Sequence, residues 1–313
     1  MVAYVLSRLA WAAIVLLVVA VITFVLTFVV PADPVRAMVG MRATAAEVER
    51  IRQSMGLDQP LLTQLGGYLL RAAQGDLGHS FHHRTDVLPL ILQRFPATLQ
   101  LAGAGIALAL AIGIPLGVLG ARRQGTRYDR IGNLLSVALV SIPAFWLGYM
   151  LIYIAAFRPL MAWQFDLFPI GGYEPWSLRH LALPALTLSA SSAAYYTRLT
   201  RSVMLDELRQ DYVRTGLAKG LSERRVTWRH AFRNALPSLI TQLGLDLGFL
   251  LGGVVVIEQV FGWPGIGQLA VNAITNLDVP LIMGTVLFGT FCIVVANLIA
   301  DLAIAILDPR VAR

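Results

Sequence analysis

The chain opens on an uninterrupted apolar run, Leu9–Val30, and five further stretches repeat the pattern: Ala97–Ala121, Ile131–Phe157, Leu181–Thr200, Leu236–Ile257 and Leu281–Leu307. A helix crosses the hydrocarbon of a bilayer with about 20 apolar residues. The pattern therefore predicts an all-α integral membrane protein with six transmembrane helices. Leu181–Thr200 is the most polar of the six, carrying Ser189, Ser191, Ser192, Tyr195 and Tyr196. Such a span survives if its polar face packs on other helices or lines a watery cavity. Arg8 before an apolar run has the outline of a signal peptide. The run is longer than the usual ~7–15-residue apolar core and ends in Pro31-Ala32-Asp33-Pro34, so an uncleaved span is expected.

The segment Pro31–Pro96 breaks the rhythm. A helix is expected from Thr44, where Thr44-Ala45-Ala46-Glu47 has the capping-box spacing, to Met55, with Gly56 at its end. A second fits Leu61–Gln74 and stops at Gly75. A small external helical subdomain is expected here. The domain organisation then reads as residues 1–95, the first span with the subdomain, and residues 96–308, a transmembrane core.

Composition agrees with the pattern. Hydrophobic residues make up 57% of the 313 residues and charged ones 14%, against about 25% charged in soluble domains. That excludes an ordinary soluble enzyme and a disordered chain. The single cysteine, Cys292, excludes a disulfide framework and Cys-based zinc or iron–sulfur sites. The net charge of +7 is first a topology signal. Six spans put both termini on one side, and that side carries 16 of the 25 basic residues and six of the 18 acidic ones. Both termini are thus expected to be cytoplasmic, with no nucleic-acid partner needed to explain the charge.

The chemistry of energy conversion is missing. A phosphate-cradling loop needs a lysine in G-x-x-x-x-G-K-[ST]. The one lysine, Lys219, stands between Ala218 and Gly220 instead. No His-Glu-x-x-His occurs. Asp246 and Asp301 are a formal pair for an intramembrane protease but lack a catalytic context. An autonomous secondary carrier, the alternative from another class, calls for an inverted repeat with intramembrane ion ligands, and no such repeat is visible.

The stretch of about 206–237 carries nine basic residues from Arg198 to Arg233 if its flanks are included. Ser202–Ala218 has good helix formers, Gly220 suits a left-handed helix end, and Ser222 can cap a second helix with Glu223 at its positive end. A solvated basic loop would satisfy the charge alone. The ordered text says more: Asp211-Tyr212-Val213-Arg214-Thr215-Gly216-Leu217-Ala218-Lys219-Gly220-Leu221-Ser222, followed by Arg229-His230-Ala231-Phe232-Arg233-Asn234-Ala235-Leu236-Pro237. It resembles the EAA loop of ABC importer permeases, in the version of the dipeptide/oligopeptide/nickel group. Met55-Gly56-Leu57-Asp58-Gln59-Pro60-Leu61, Gly75-Asp76-Leu77-Gly78-His79-Ser80, Phe95-Pro96-Ala97-Thr98-Leu99, Ser141-Ile142-Pro143-Ala144-Phe145-Trp146, Glu258–Gly267 and Asp308-Pro309-Arg310 are similar, in order, to the B-type permease of that group. The family often has Ala where this chain has Gly216, and Gly weakens a helix by about 1 kcal/mol at worst.

The resemblance implies a type I importer transmembrane fold in the bacterial cytoplasmic membrane. It also implies an alternating-access pathway shared with a second, homologous permease, and an external substrate-binding protein. Two ATPase subunits would hold ATP and magnesium, and this chain would bind no cofactor. Peptides are the implied cargo, with nickel, glutathione or another metal chelate as the alternative. The ATPase-coupling residues it implies are Tyr212, Val213, Arg214, Thr215, Gly216, Ala218, Lys219, Gly220, Leu221, Ser222, Arg229 and Arg233. Candidates for the pathway and its gate are Ser141 and Pro143, which interrupt the third span, Phe145, Trp146, Asp246, Asn297 and Asp301. Glu258, Phe261 and Trp263 join them from a Gly- and Pro-rich stretch read as a re-entrant loop. Gly244, Gly248 and Gly252 are spaced for a close helix–helix contact. Three external histidines, His79, His82 and His83, are of a type that binds Ni²⁺, Cu²⁺ or Zn²⁺. Exposed histidines without a metal are commoner, and no metal is assigned to them.

Overall fold

The computed structural model of the chain describes residues 2–29, 44–54 and 59–307. Pro31–Pro34, Met55–Asp58 with the expected stop at Gly56, and Asp308–Arg310 lie outside the described residues. Among those described, the only strands are a two-residue antiparallel pair, β1 (His79–Ser80) and β2 (Thr85–Asp86). The other regular elements described are helices, with one long irregular stretch at 164–177.

In chain order the helices are α1 (Val2–Phe24, widening into a π turn over Val25–Val29), α2 (Ala45–Ser54) and α3 (Leu61–Ala73). After the strand pair come α4 (Val87–Arg122), α5 (Arg127–Ser141), α6 (Ala144–Leu151, continuing as a π turn Ile152–Phe157) and α7 (Arg158–Trp163). Then follow α8 (Leu178–Leu208), α9 (Asp211–Ala218) and α10 (Glu223–Arg225), which runs through the π segment Val226–Ala231 into α11 (Phe232–Phe261). The last two are α12 (Ile266–Thr275) and α13 (Val279–Leu307). Four described helical stretches are long and apolar enough to cross a membrane: Leu6–Thr27, Val87–Arg122, Ala144–Ala162 and Val279–Leu302. The pair Val254–Phe261 and Ile266–Thr275 makes a fifth if counted as one broken span. The more polar α8 has 31 residues, about 46 Å at 1.5 Å per residue.

Several expected boundaries move. The second span grows ten residues at its N-terminus and begins at Val87. The third is interrupted where Ser141 and Pro143 lead one to expect, because Pro143 has no N–H and Ile142 before it is extended (φ −83°, ψ 125°). Ser202–Ala218 breaks at Arg209–Gln210, where Gln210 is extended (ψ 151°) and starts α9. The stretch after the fifth span is not loop throughout: α11 persists to Phe261, and Ile266–Thr275 is helix.

The chain divides into two compact units. One comprises Met1–Thr98 and Pro264–Val295; the other comprises Leu99–Trp263 and Ala296–Arg313. In the first, Val87, Ile91, Ile266, Leu269, Ala273 and Leu281 form one buried cluster, and Ala20, Phe24, Tyr68, Val279 and Met283 form another. The periodic apolar face of α12 thus explains why a Gly- and Pro-flanked segment is helical. Two motifs that carried the resemblance meet here, since the Thr98 hydroxyl accepts the Ile266 N–H at 2.8 Å and caps α12. The segment Gly75–Ser80 is equally structural. Gly75 and Gly78 have φ of +84° and +91°, and Asp76 N–H closes α3 on the Arg71 carbonyl (2.9 Å). The buried Ser80 hydroxyl donates to Asp278.

In the second unit, α4 and α8 approach through glycines. A Cβ on Gly117 would lie 2.5 Å from Thr200 Cβ and 2.7 Å from the Thr197 carbonyl, and one on Gly113 would lie 2.7 Å from the Ala193 carbonyl. Nothing but hydrogen fits. This is the small-xxx-small contact that membrane helices use when backbones must touch. A further core of Val118, Ala121, Met204, Ala231 and Ala235 joins α4, α8 and the start of α11.

Candidate functional site

The expected coupling segment folds as a helical hairpin. α9 carries Tyr212, Val213, Arg214, Thr215, Gly216 and Ala218, with Lys219 as its C-cap. Gly220 follows at φ +81°, a conformation that an L side chain adopts only under strain. Two bonds close the end: Gly220 N–H donates to the Leu217 carbonyl (2.9 Å) and Leu221 N–H to that of Gly216 (3.2 Å). This Schellman pattern sets the direction in which the chain leaves. Ser222 is extended, and its hydroxyl accepts the Arg225 N–H at 3.4 Å, starting α10. Glu223 stands in that first turn and pairs with Arg122 at 3.3 Å.

Val213 and Val226 are the buried anchors of the two arms. A Cβ on Gly216 would meet Val226 Cγ2 at 3.4 Å and Leu221 Cδ1 at 3.7 Å, so the alanine common in the family would pack here without displacement. The Tyr212 hydroxyl donates to Glu207 at 2.6 Å and ties α9 back to α8. Burial, reinforced by that carboxylate, raises the phenol above its ordinary range. Arg214, Lys219, Arg229 and Arg233 are exposed. Arg214 lies 3.8 Å from Asp211, an exposed contact worth little. Lys219, Arg229 and Arg233 have no carboxylate partner among the described residues, and their charge is free for an acidic surface.

A second feature escapes sequence reasoning. Asp129, in the first turn of α5, is only 6% exposed. It takes a bidentate contact from Arg201 on α8, with Nε to Oδ1 at 2.5 Å and the second nitrogen to Oδ2 at 2.8 Å. Gly125 N–H adds a third bond at 2.9 Å. The Arg201 guanidinium holds the Asp129 carboxyl below the usual range, the Gly125 amide adds to this, and burial opposes both. The pair fixes the α4–α5 turn to the helix that leads into α9. Both residues count as topology charges in the sequence, and their separation of 72 positions leaves no local signal.

The residues expected along a pathway scatter. Ser141 is exposed at the end of α5, its hydroxyl on the Val137 carbonyl (2.9 Å), and Pro143 starts α6. Phe145 and Trp146 on α6 are about half exposed. Asp246 on α11 accepts the Tyr196 hydroxyl and the Gln242 amide, each at 2.8 Å, so a carboxylate deep in an apolar helix is held by neutral donors. Asn297 is exposed and Asp301 half-buried on α13. Glu258, Phe261 and Trp263 are buried. Trp263 stacks edge-on with Tyr173 at 4.7 Å, and the Phe261 carbonyl accepts the Gly172 N–H at 2.9 Å, so these two clamp the segment after α7 onto the end of α11. His79 pairs with Asp86 at 3.0 Å, while His82 and His83 pack edge to face. No group of three or more His, Cys, Asp or Glu able to hold a metal occurs among the described residues.

Long apolar helices and a cation-bearing helical hairpin at the junction of two of them define a multi-pass, all-α membrane permease component. The chain belongs to the family described as the binding-protein-dependent transport system inner membrane component, whose model matches residues 113–313. The model of that family's N-terminal region matches residues 1–102. A Brucella abortus (strain 2308) protein with the provisional name of peptide transport system permease is 41% identical over 319 residues, covering 99% of each chain. A Brucella suis biovar 1 protein, provisionally named a peptide permease, is 39% identical over 322 residues at the same coverage. The glutathione transport system permease protein GsiC of Escherichia coli O6:H1 is 38% identical over 308 residues, 98% of each chain.

Proposed function

We propose that the chain is one permease subunit of an ATP-binding-cassette importer that carries peptides across the cytoplasmic membrane. Six helical segments cross: α1, α4, the interrupted α5–α6 region, α8, α11 and α13. Both termini are cytoplasmic, and residues 31–95 form an external subdomain. A second, homologous permease completes the pathway, two ATPase subunits hold ATP and magnesium, and an external binding protein delivers cargo. The hairpin of α9, Gly220 and α10 carries the reading. Its exposed cations stand on two arms joined by a turn whose exit angle is fixed by two backbone bonds, and the base of α9 is tied to α8. That is what a lever pushed by a separate motor subunit requires. Arg214, Lys219, Arg229 and Arg233 contact the ATPase, and Tyr212 to Leu221 form the coupling helix. Phe145, Trp146 and Asp246 are the residues offered to the pathway, Asp246 as a fixed acceptor.

The test is purification of the tagged chain followed by reconstitution. P-loop ATPase subunits and a similar permease are expected to come with it, and vesicles holding the complex should accumulate a labelled peptide only with ATP and binding protein. Uptake by this chain alone would refute the reading. Glutathione, itself a tripeptide, is the second cargo, favoured by the name of the E. coli relative. Competition of glutathione against dipeptides for the binding protein separates the two.

A further inference from the structure

A trough of about 290 Å³ runs along the faces of α4, α5 and α8 in the second unit. Ile112, Leu116, Leu135 and Leu139 make its walls. It holds the volume of roughly ten water molecules but offers water almost no polar partner until its mouth. There Arg198 stands with Asn133 and Arg201, and the three are shared with an adjoining space of about 320 Å³ that adds Tyr195 and Ser202. Arg201 is committed to Asp129. Arg198, one turn earlier on α8, is exposed and has no ion-pair or hydrogen-bond partner among the described residues. The long apolar groove thus ends at one uncompensated guanidinium, close to where α8 passes from apolar to charged sequence.

We propose that this trough binds an anionic phospholipid of the cytoplasmic leaflet, one acyl chain along α4 and α5 and the headgroup phosphodiester on Arg198. The orientation rests on the topology given under the proposed function. Charge complementarity selects the occupant. A neutral detergent satisfies the groove but not the guanidinium, a zwitterionic lipid brings its own ammonium beside the phosphate and leaves the net positive charge in place, and a soluble anion satisfies the guanidinium but not the groove. A guanidinium fork matches phosphate oxygens, and basic pockets between helices at the cytoplasmic face attract anionic headgroups. Asn133 supplies a further polar group at the mouth. Gly132, in the trough wall, has open space where a Cβ would stand, so the groove can be filled there without disturbing its frame.

The experiment uses the complete purified complex in native mass spectrometry, exchanged with phosphatidylglycerol or phosphatidylcholine. Wild type is expected to retain phosphatidylglycerol at least tenfold better. Arg198→Gln should abolish that preference, Arg198→Lys should keep most of it, and Gly132→Ile should lower retention of both lipids. Equal retention of the two lipids by wild type, or an unchanged preference in Arg198→Gln, would overturn the proposal. A photo-crosslinker at Leu135 identifies the occupant directly. Crosslinks to lipid support the site, and crosslinks to a helix of the second permease refute it. Peptide uptake by the same preparation reports the transport reading separately, so failure of one does not mimic failure of the other.

Discussion

Asp129→Ala is the sharpest perturbation of the second unit. It removes two charge-assisted bonds from Arg201 and the acceptor for Gly125 N–H, three contacts at 2.5–2.9 Å. Breaking a fully buried pair costs about 3–5 kcal/mol, and an exposed pair contributes about 0–1 kcal/mol. This pair lies between the limits, for the Asp129 side chain is 7% exposed and that of Arg201 28%. Water can therefore reach the orphaned guanidinium, and the expected loss is about 1–3 kcal/mol. Asp129→Asn keeps an acceptor for Gly125 and should lose less. The assay is thermal unfolding of the purified complex across pH. Because the folded-state pKa of Asp129 is depressed, the pair's contribution is complete above the unfolded value of about 3.9. It fades as pH falls through the lower folded value. The gap between wild type and Asp129→Ala should thus be constant from pH 8 to pH 5 (roughly) and close only in stronger acid. A gap that closed between pH 8 and 5, or an Asp129→Ala variant as stable as wild type, would refute the assignment.

The hairpin and the helix contact yield further expectations. Gly216→Ala should stabilise α9 by up to about 1 kcal/mol, read as a higher melting temperature with uptake retained, because its Cβ meets Val226 and Leu221 at contact distance. Gly220→Pro replaces a φ of +81° with about −65° and deletes the N–H that bonds Leu217. Insertion should survive while ATP hydrolysis in vesicles proceeds without uptake, and normal uptake would sink the claim. Gly117→Ala should lower stability by about 1–3 kcal/mol, whereas Gly103→Ala, with nothing within 4 Å of its Cβ, serves as the unaffected control. Tyr68→Phe should be neutral or mildly stabilising by the same melting assay. The Tyr68 hydroxyl is buried with no hydrogen-bond partner among the described residues, and burial pushes its pKa up to about 12.

What could be read before any coordinates was local. Hydropathy marks the long helices, and Gly220 and Ser222 announce the hairpin because a left-handed end and an N-cap depend on single residues. Pro143 announces its break for the same reason. What could not be read depends on partners distant in sequence. Arg209 and Gln210 are not helix breakers. The bend there coincides with Val213 burying itself and Tyr212 reaching Glu207. Gly113 and Gly117 sit in a run so rich in Ala, Gly and Ile that their spacing does not stand out, whereas Gly244, Gly248 and Gly252 attract attention. Only the position of Thr197 and Thr200 on α8 shows which glycines must lack a side chain.

The same contrast separates how the two halves of the site can work. The turn at Gly220 and Ser222 is closed by local bonds, while buried Val213 and Val226 and the Tyr212–Glu207 bond hold the hairpin to the helices behind it. The contacts behind it differ in kind. Gly113 and Gly117 bring α4 against α8 backbone to backbone, and an interface of that closeness slides or separates but does not deform. Asp129 and Arg201 then join α8 to α5 through one directional, two-pronged contact, and α5 ends at the Ile142–Pro143 break, where backbone bonding is interrupted. A displacement of α9 therefore reaches α8 through the chain itself, and α5 through its packed face on α8 together with this ion pair. If the motion of α5 depends on that pair, exchanging its charges (Asp129→Arg with Arg201→Asp) should restore uptake lost in either single variant. Two single variants that transport normally would place the connection elsewhere.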